Sequence, residues 1–155
     1  MSDFAARLDD VERRFATLAA RTATGLTDAD PRTGEQWDAG QVWAHTAEFP
    51  GYWLREVATV VDGWRGEPVP FGRVKTDPER IAAIERNRAT DPALLAARVR
   101  AGIAAIRDRL ATLPPQAWDA RGVHSTLGEM SLERIVDEFL VGHLEEHATQ
   151  LETLR

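Results

Sequence analysis

Cysteine is absent from the 155 residues. That excludes disulfides, thiolate metal ligands and a cysteine nucleophile, so any metal must be held by nitrogen and oxygen. Long apolar runs are absent as well. The stretch Met1–Ala20 is broken by Asp3, Arg7, Asp9, Asp10, Glu12, Arg13 and Arg14, which fits neither a signal peptide nor a membrane span. The expected compartment is the cytoplasm. Net charge is −6, and no block of Lys or Arg supplies the electrostatic footprint of a nucleic-acid binder. A glycine-rich phosphate loop, a serine-nucleophile elbow and a dinucleotide fingerprint are all missing. So are internal repeats and any strand pattern comparable to the helical one. The length suits one domain spanning 1–155, large enough to bury on the order of 70% of its unfolded surface.

What is present is helical periodicity. Phe4, Leu8, Val11, Phe15 and Leu18 recur at intervals of three and four and predict a helix over 3–21, capped by Ser2 or Asp3. Thr24 to Trp37 is rich in Thr, Asp, Gly and Pro and reads as a loop. Val42, Thr46, Phe49, Trp53, Val57 and Val60 mark a second helix over 38–62, with Pro50 expected to kink or break it. Gly63 to Thr76 is a long crossover. Thr76-Asp77-Pro78 and Thr90-Asp91-Pro92 each resemble a cap followed by proline at the first helical position. They open a short helix over 78–89 and a longer one over 92–112, stopped by Pro114-Pro115. An irregular stretch runs to Met130, and a last helix covers 131–153. The fold predicted is all-α: a four-helix bundle with a long crossover between helices two and three and a short extra helix. Because that crossover is long, those two helices need not be antiparallel neighbours.

Three of the four histidines can meet within such a bundle. His143 and His147 stand four apart, one helical turn, on one face. At 100° per residue they fall in the middle of the last helix's apolar stripe. His45, on the second helix, flanks a stripe formed by Val42, Phe49 and Trp53. Each buried imidazole has a donor and an acceptor to satisfy, and a metal ion satisfies several acceptor nitrogens at once. Three imidazoles with one position left open is the ligand set of a catalytic metal site. It suits Zn²⁺, with Ni²⁺, Fe²⁺ and Co²⁺ compatible. Hydrogen-bonded core histidines are the competing reading. Gln41 and Glu48, one turn either side of His45, and Glu146, beside His147, are the candidates for supporting the ligands or serving as a base. His124 falls in the irregular stretch and is expected in a loop.

The run Trp37-Asp38-Ala39-Gly40-Gln41-Val42-Trp43-Ala44-His45 and the segment from Leu127-Gly128-Glu129-Met130-Ser131-Leu132 to His143-Leu144-Glu145-Glu146-His147 resemble the DinB/YfiT-like superfamily. That family comprises metal-binding four-helix bundles, including thiol-dependent S-transferases and the N-terminal domain of mycothiol-dependent maleylpyruvate isomerases. The resemblance implies that His45, His143 and His147 hold a divalent metal. It also implies that the metal activates water or a low-molecular-weight thiol. Arg far outnumbers Lys, a composition similar to that of proteins from GC-rich actinobacterial genomes, which makes mycothiol the implied thiol. The isomerases resemble a larger architecture with a C-terminal domain, and their ligand set typically has a glutamate where this chain has a histidine. The resemblance therefore implies a metal-dependent S-transferase or hydrolase rather than an isomerase.

Trp53 fits the core, while Trp64 and Phe71 are placed to wall a pocket over the metal. Arg65, Arg73 and Lys75 lie in the same crossover, with only Glu67 opposing them. They are the candidate contacts for an anionic substrate or thiol cofactor. The Glu/Arg pairs along 79–109 read as a solvated helix face. The expected partners are a small-molecule substrate and a second copy of the chain, with no nucleic acid and no membrane. The reading from another class is a non-enzymatic helical module for binding or dimerisation, its metal structural or absent.

Overall fold

The computed structural model describes residues 3–155; Ser2, the alternative cap, lies outside them. Helix α1 spans Phe4–Ala19 and is capped by Asp3, whose side chain accepts the Ala6 N–H at 3.1 Å. Its buried residues are Phe4, Leu8, Val11, Phe15 and Leu18, the periodic set read from the sequence. Helix α2 spans Ala39–Gly63 and starts with a capping box. Asp38 accepts the Gln41 N–H at 2.9 Å and Gln41 Oε1 accepts the Asp38 N–H at 3.0 Å, so two orphan donors of the first turn are satisfied reciprocally. The helix runs uninterrupted through Pro50. The ring sits where the neighbouring helix offers only Gly102, at which an added Cβ would lie 3.0 Å from Pro50 Cγ.

Helices α3, Pro78–Asn87, and α4, Pro92–Thr112, are each capped by the aspartate before an N-terminal proline. After a 3₁₀ turn at Pro115–Asp119 the chain enters the last rod. This begins as α5, Leu132–Val136, widens into a π turn at Asp137–Val141, and continues as α6, Gly142–Thr153. The four-helix bundle is as expected, and between the rods lies a small three-stranded sheet in addition. Strand β1, Val69–Phe71, pairs in parallel with β2, Arg121–His124, which forms an antiparallel hairpin with β3, Gly128–Ser131. Phe71 stands opposite His124, so the crossover is tied to the segment before the last helix.

Cross-helix contacts give the direction of each rod. Arg7 reaches Asp137 and Glu145, and Arg14 reaches Glu152, so α1 and the last rod run parallel. Asp38 meets Arg88, and Pro50 meets Gly102, so α2 and α4 also run parallel. His45 meets His143 while Trp53 stacks on Phe139, so α2 and the last rod are antiparallel. Parallel neighbours need a long connection, which the crossover over 64–77 and the short α3 supply. The arginine pairs are partly exposed and contribute about 0.2–1 kcal/mol each. Fully buried Leu8, Phe49, Ile103 and Leu144 contribute about 1.5–3 kcal/mol each. The core, not the ion pairs, holds the bundle together.

Two glycines of α2 make this packing testable. A Cβ at Gly40 would lie 2.4 Å from the Arg88 carbonyl oxygen, whereas one at Gly51 meets only Arg55 Nη1 at 3.6 Å. Replacing a helical glycine by alanine normally stabilises by about 0.5–1 kcal/mol. Gly51→Ala is therefore expected to raise the midpoint of chemical denaturation. Gly40→Ala is expected to lower stability by about 1–3 kcal/mol, because backbone must move.

Candidate metal centre

The seam between α2 and the last rod carries the histidines. His45 and His147 are buried, with only 2% and 4% of their surfaces exposed, and His143 is half-buried. One nitrogen from each ring lies within 4.8 Å of the other two. His45 Nε2 and His143 Nε2 stand 3.3 Å apart. A tetrahedral zinc site with bonds of about 2.0–2.1 Å places its ligand nitrogens about 3.3–3.4 Å apart, so that separation fits one edge. His147 Nε2 is buried and meets no hydrogen-bond partner among the described residues. Burial holds all three imidazoles neutral. His147 is lowered to about 4, and His45 and His143 are pushed well below the usual histidine range, with neighbouring cations adding to the effect. Neutral rings are the metal-binding form.

The π turn sets the presentation of the pair. The Gly142 N–H bonds to the Asp137 carbonyl five residues back, where a Cβ on Gly142 would lie 2.5 Å from that oxygen. One residue more than an α-turn holds shifts the phase of the rest of the rod. Leu144 and Ala148 take the centre of the core face, and His143 and His147 move to its flank, facing a pocket. The sequence placed the pair mid-stripe because it could not foresee that shift. Phe49 stacks on His143 at 4.2 Å, and the Trp37 ring lies 5.2 Å from His45 and 6.0 Å from His147.

Outer contacts orient the rings. Gln150 Oε1 accepts a hydrogen bond from His147 Nδ1 at 2.6 Å, leaving the Nε2 lone pair for the centre. Glu48 Oε2 lies 3.4 Å from His45 Nδ1, off hydrogen-bond alignment, and the same carboxylate is gripped at both oxygens by Arg73, at 2.6 and 2.7 Å. Glu48 therefore stands behind His45 rather than free as a base. Gln41 does neither job, since its side chain closes the capping box. Glu146 lines the pocket rim, and burial raises its carboxyl above the usual range. Sequence reasoning passed over Gln150; its only signal was the i, i+3 spacing from His147.

The pocket is an open cleft of about 880 Å³ with the three histidines in its lining. Its other wall is the loop before α2, including Thr27 and Asp30, which the sequence did not assign to the site. Trp37, Trp53 and Phe139 provide its apolar surface. Trp64 and Phe71, expected to wall it, do not line it; Phe71 packs behind Trp53 and His124. Arg65 stays outside as well, donating to the carbonyls of Asp62 and Trp64. Arg73 and Lys75 reach the pocket, but each carries an ion pair, with Glu48 and Asp30 respectively. Arg80, read as part of a solvated face, is 7% exposed and lines the pocket. His124, expected in a loop, is a buried β2 residue. Its Nε2–H donates to the Arg73 carbonyl at 3.1 Å, while Nδ1 accepts from Thr126.

A family model described as the DinB superfamily matches residues 7–151. The chain belongs to the DinB superfamily. Solved structures sharing the bundle include YfiT from Bacillus subtilis, described as a probable metal-dependent hydrolase with an unusual four-helix bundle topology. It is 19% identical with a TM-score of 0.71, over 98% of this chain and 86% of that one. A mycothiol-dependent maleylpyruvate isomerase, in a histidine-to-alanine mutant form, is 11% identical with a TM-score of 0.70. That match covers 97% of this chain and 61% of the isomerase. An uncharacterized protein from Clostridium difficile 630 is 8% identical with a TM-score of 0.66, over 97% and 92% of the two chains. Comparison with curated proteins returned no match. Among the described residues, no helix is long and apolar enough to cross a membrane.

Removing an outer-shell partner of a metal-bound histidine typically costs 10–100-fold in affinity. Gln150→Ala is accordingly expected to weaken Zn²⁺ binding by about 10–100-fold with little change in the far-ultraviolet circular dichroism. Competition with a chromogenic chelator reads this directly.

Proposed function

We propose that the protein is a divalent-metal-dependent transferase or hydrolase acting on a small molecule, with His45, His143 and His147 as the metal ligands. The observation that carries this reading is the buried, unpartnered Nε2 of His147 on a ring that gathers with two further imidazoles, one nitrogen of each within 4.8 Å of the others. A core histidine kept for packing would have found a hydrogen-bond partner, because an unsatisfied buried acceptor costs about 1–3 kcal/mol. A cation supplies the missing partner, and the adjoining cleft supplies the access that a closed structural site lacks. Three neutral nitrogen donors suit Zn²⁺, with Ni²⁺ the next choice.

Such a metal, when bound, polarises a carbonyl or lowers the pKa of a water or thiol. The chain's own residues do the rest. Gln150 fixes the His147 tautomer, and the Glu48–Arg73 clamp braces His45. Trp37 and Phe49 pack against the rings on the side away from solvent, and Glu146, its carboxyl raised by burial, holds or releases a proton at the rim. A low-molecular-weight thiol such as mycothiol is the proposed co-substrate, supported by the bundle's likeness to the mycothiol-dependent isomerase.

Protein purified without an affinity tag is expected to contain one divalent metal ion per chain by elemental analysis. His147→Ala should lose more affinity than the roughly 100-fold that an outer-shell change costs, whereas Glu146→Gln should retain metal. Adding Zn²⁺ to chelator-treated protein at 100 times its Kd should stabilise it by about 2.7 kcal/mol. For a chain of this size that is about 2–4 °C in Tm per kcal/mol. Equal metal content in the wild type and His147→Ala, or an unchanged Tm, overturns the assignment.

A further inference from the structure

Arg80 is a buried guanidinium held by one backbone hydrogen bond and one long ion pair. Its first-turn position on α3 is fixed by Asp77, which caps the Arg80 N–H at 3.1 Å. Its Nη1 donates to the Lys75 carbonyl at 2.7 Å, and its nearest carboxylate, Glu35, stands 3.8 Å away, beyond hydrogen-bond reach. The guanidinium carbon lies 5.3 Å from the centre of the Trp37 ring. Trp37 in turn borders His45 and His147, so one indole separates the cation from the histidines. Arg80 lines the cleft, and its charge is felt at all three imidazoles.

The other cations of the cleft differ. Arg73 is held by both oxygens of Glu48, and Lys75 is paired with Asp30. Burying a charge costs several kcal/mol, and the ion pair of Arg80 with Glu35, at 3.8 Å, is longer than those of Arg73 and Lys75. A cation–π contact recovers about 0.5–2 kcal/mol, and the carbonyl hydrogen bond about 1.5–3. Arg80 borders the cleft, where a planar anion would add the hydrogen bonds that the long Glu35 contact does not supply. Guanidinium matches carboxylate in a two-bond fork, which an ammonium cannot reproduce.

We propose that Arg80 is the carboxylate-recognition residue of this cleft. The ligand is a small molecule carrying a carboxylate at Arg80, an apolar body against Trp37, Trp53 and Phe139, and its reacting group at the histidines. The proposal rests on the metal-dependent function for the reacting end alone; recognition of the carboxylate needs no metal.

The test titrates tag-free protein with phenylacetate and with its neutral isostere phenylacetamide, before and after chelation, by calorimetry. Phenylacetate is expected to bind at least about tenfold more tightly than the amide in both states, as a charged hydrogen bond implies. Arg80→Gln should lose that advantage while keeping its affinity for the amide and its metal content. Arg80→Lys, which keeps the charge without the fork, should fall between the two. Loss of the acid preference on chelation would assign the carboxylate to the metal and overturn the proposal. So would an Arg80→Gln protein that binds phenylacetate as well as the wild type does. Should Arg80→Gln fail to fold, the chelated wild type and Arg80→Lys still decide. An acid preference in a protein that never holds metal would sink the metal-site reading and leave this one standing.

Discussion

Three uncharged imidazoles taken out of water at one seam are the constraint around which this molecule is arranged. Burial favours their neutral form, lowering His45, His143 and His147 below the usual histidine range, and gathers one nitrogen of each within 4.8 Å of the others. Among the described residues, no group answers Nε2 of His147. Hydrophobic packing alone would not keep such a group, since an aliphatic side chain of similar size would cost nothing in unmet hydrogen bonding. The rest of the site serves to hold these rings still. Gln150 lies behind one, Glu48 and Arg73 behind another, and Phe49 is stacked on the third.

The bundle topology makes the seam available. Parallel pairing of α1 with the last rod, and of α2 with α4, leaves α2 antiparallel to the last rod, with His45 level with the His143–His147 turn. The crossover that permits this topology also crosses the pocket. Its β1 strand is pinned to β2, and Gly72, at a φ of +92°, turns the chain so that Arg73 reaches Glu48. A Cβ on Gly72 would stand 2.6 Å from the His124 ring, so the turn and the buried histidine are built as one unit. The geometry of this DinB superfamily chain thus brings imidazoles from two distant helices to one point.

The rods and the histidine cluster were legible in the sequence because both obey helical spacing over many residues. Leu8, Val11 and Phe15 mark a face, and so do His143 and His147. The short strands were not legible. Val69–Phe71 and Arg121–His124 are too brief for an alternating pattern, and pairing across the fold, not local propensity, makes them strands. Arg80 was read as solvent-facing because a charged residue in a short, Glu-rich helix looks the same whether it points out or in. The loop carrying Glu35 and Trp37, with the Lys75 carbonyl, covers it in the fold. Gln41 illustrates the reverse error. One turn before His45 it looks like a supporting residue, yet it is closer to its own helix end and serves there.

The π turn carries a consequence for how this site tolerates changes in chain length. Five residues, Asp137–Val141, occupy a loop of hydrogen bonding that a regular helix would close with four. Deleting one of them would let the rod rewind to ordinary pitch, at little cost in backbone bonding. Every side chain beyond it would then keep its place, because the π turn lags regular pitch by about the 100° that one residue spans, and both imidazoles would stay on the seam. A single codon lost from that segment therefore leaves both imidazoles facing His45, whereas one lost from a regular turn of the rod between it and His143 turns them away.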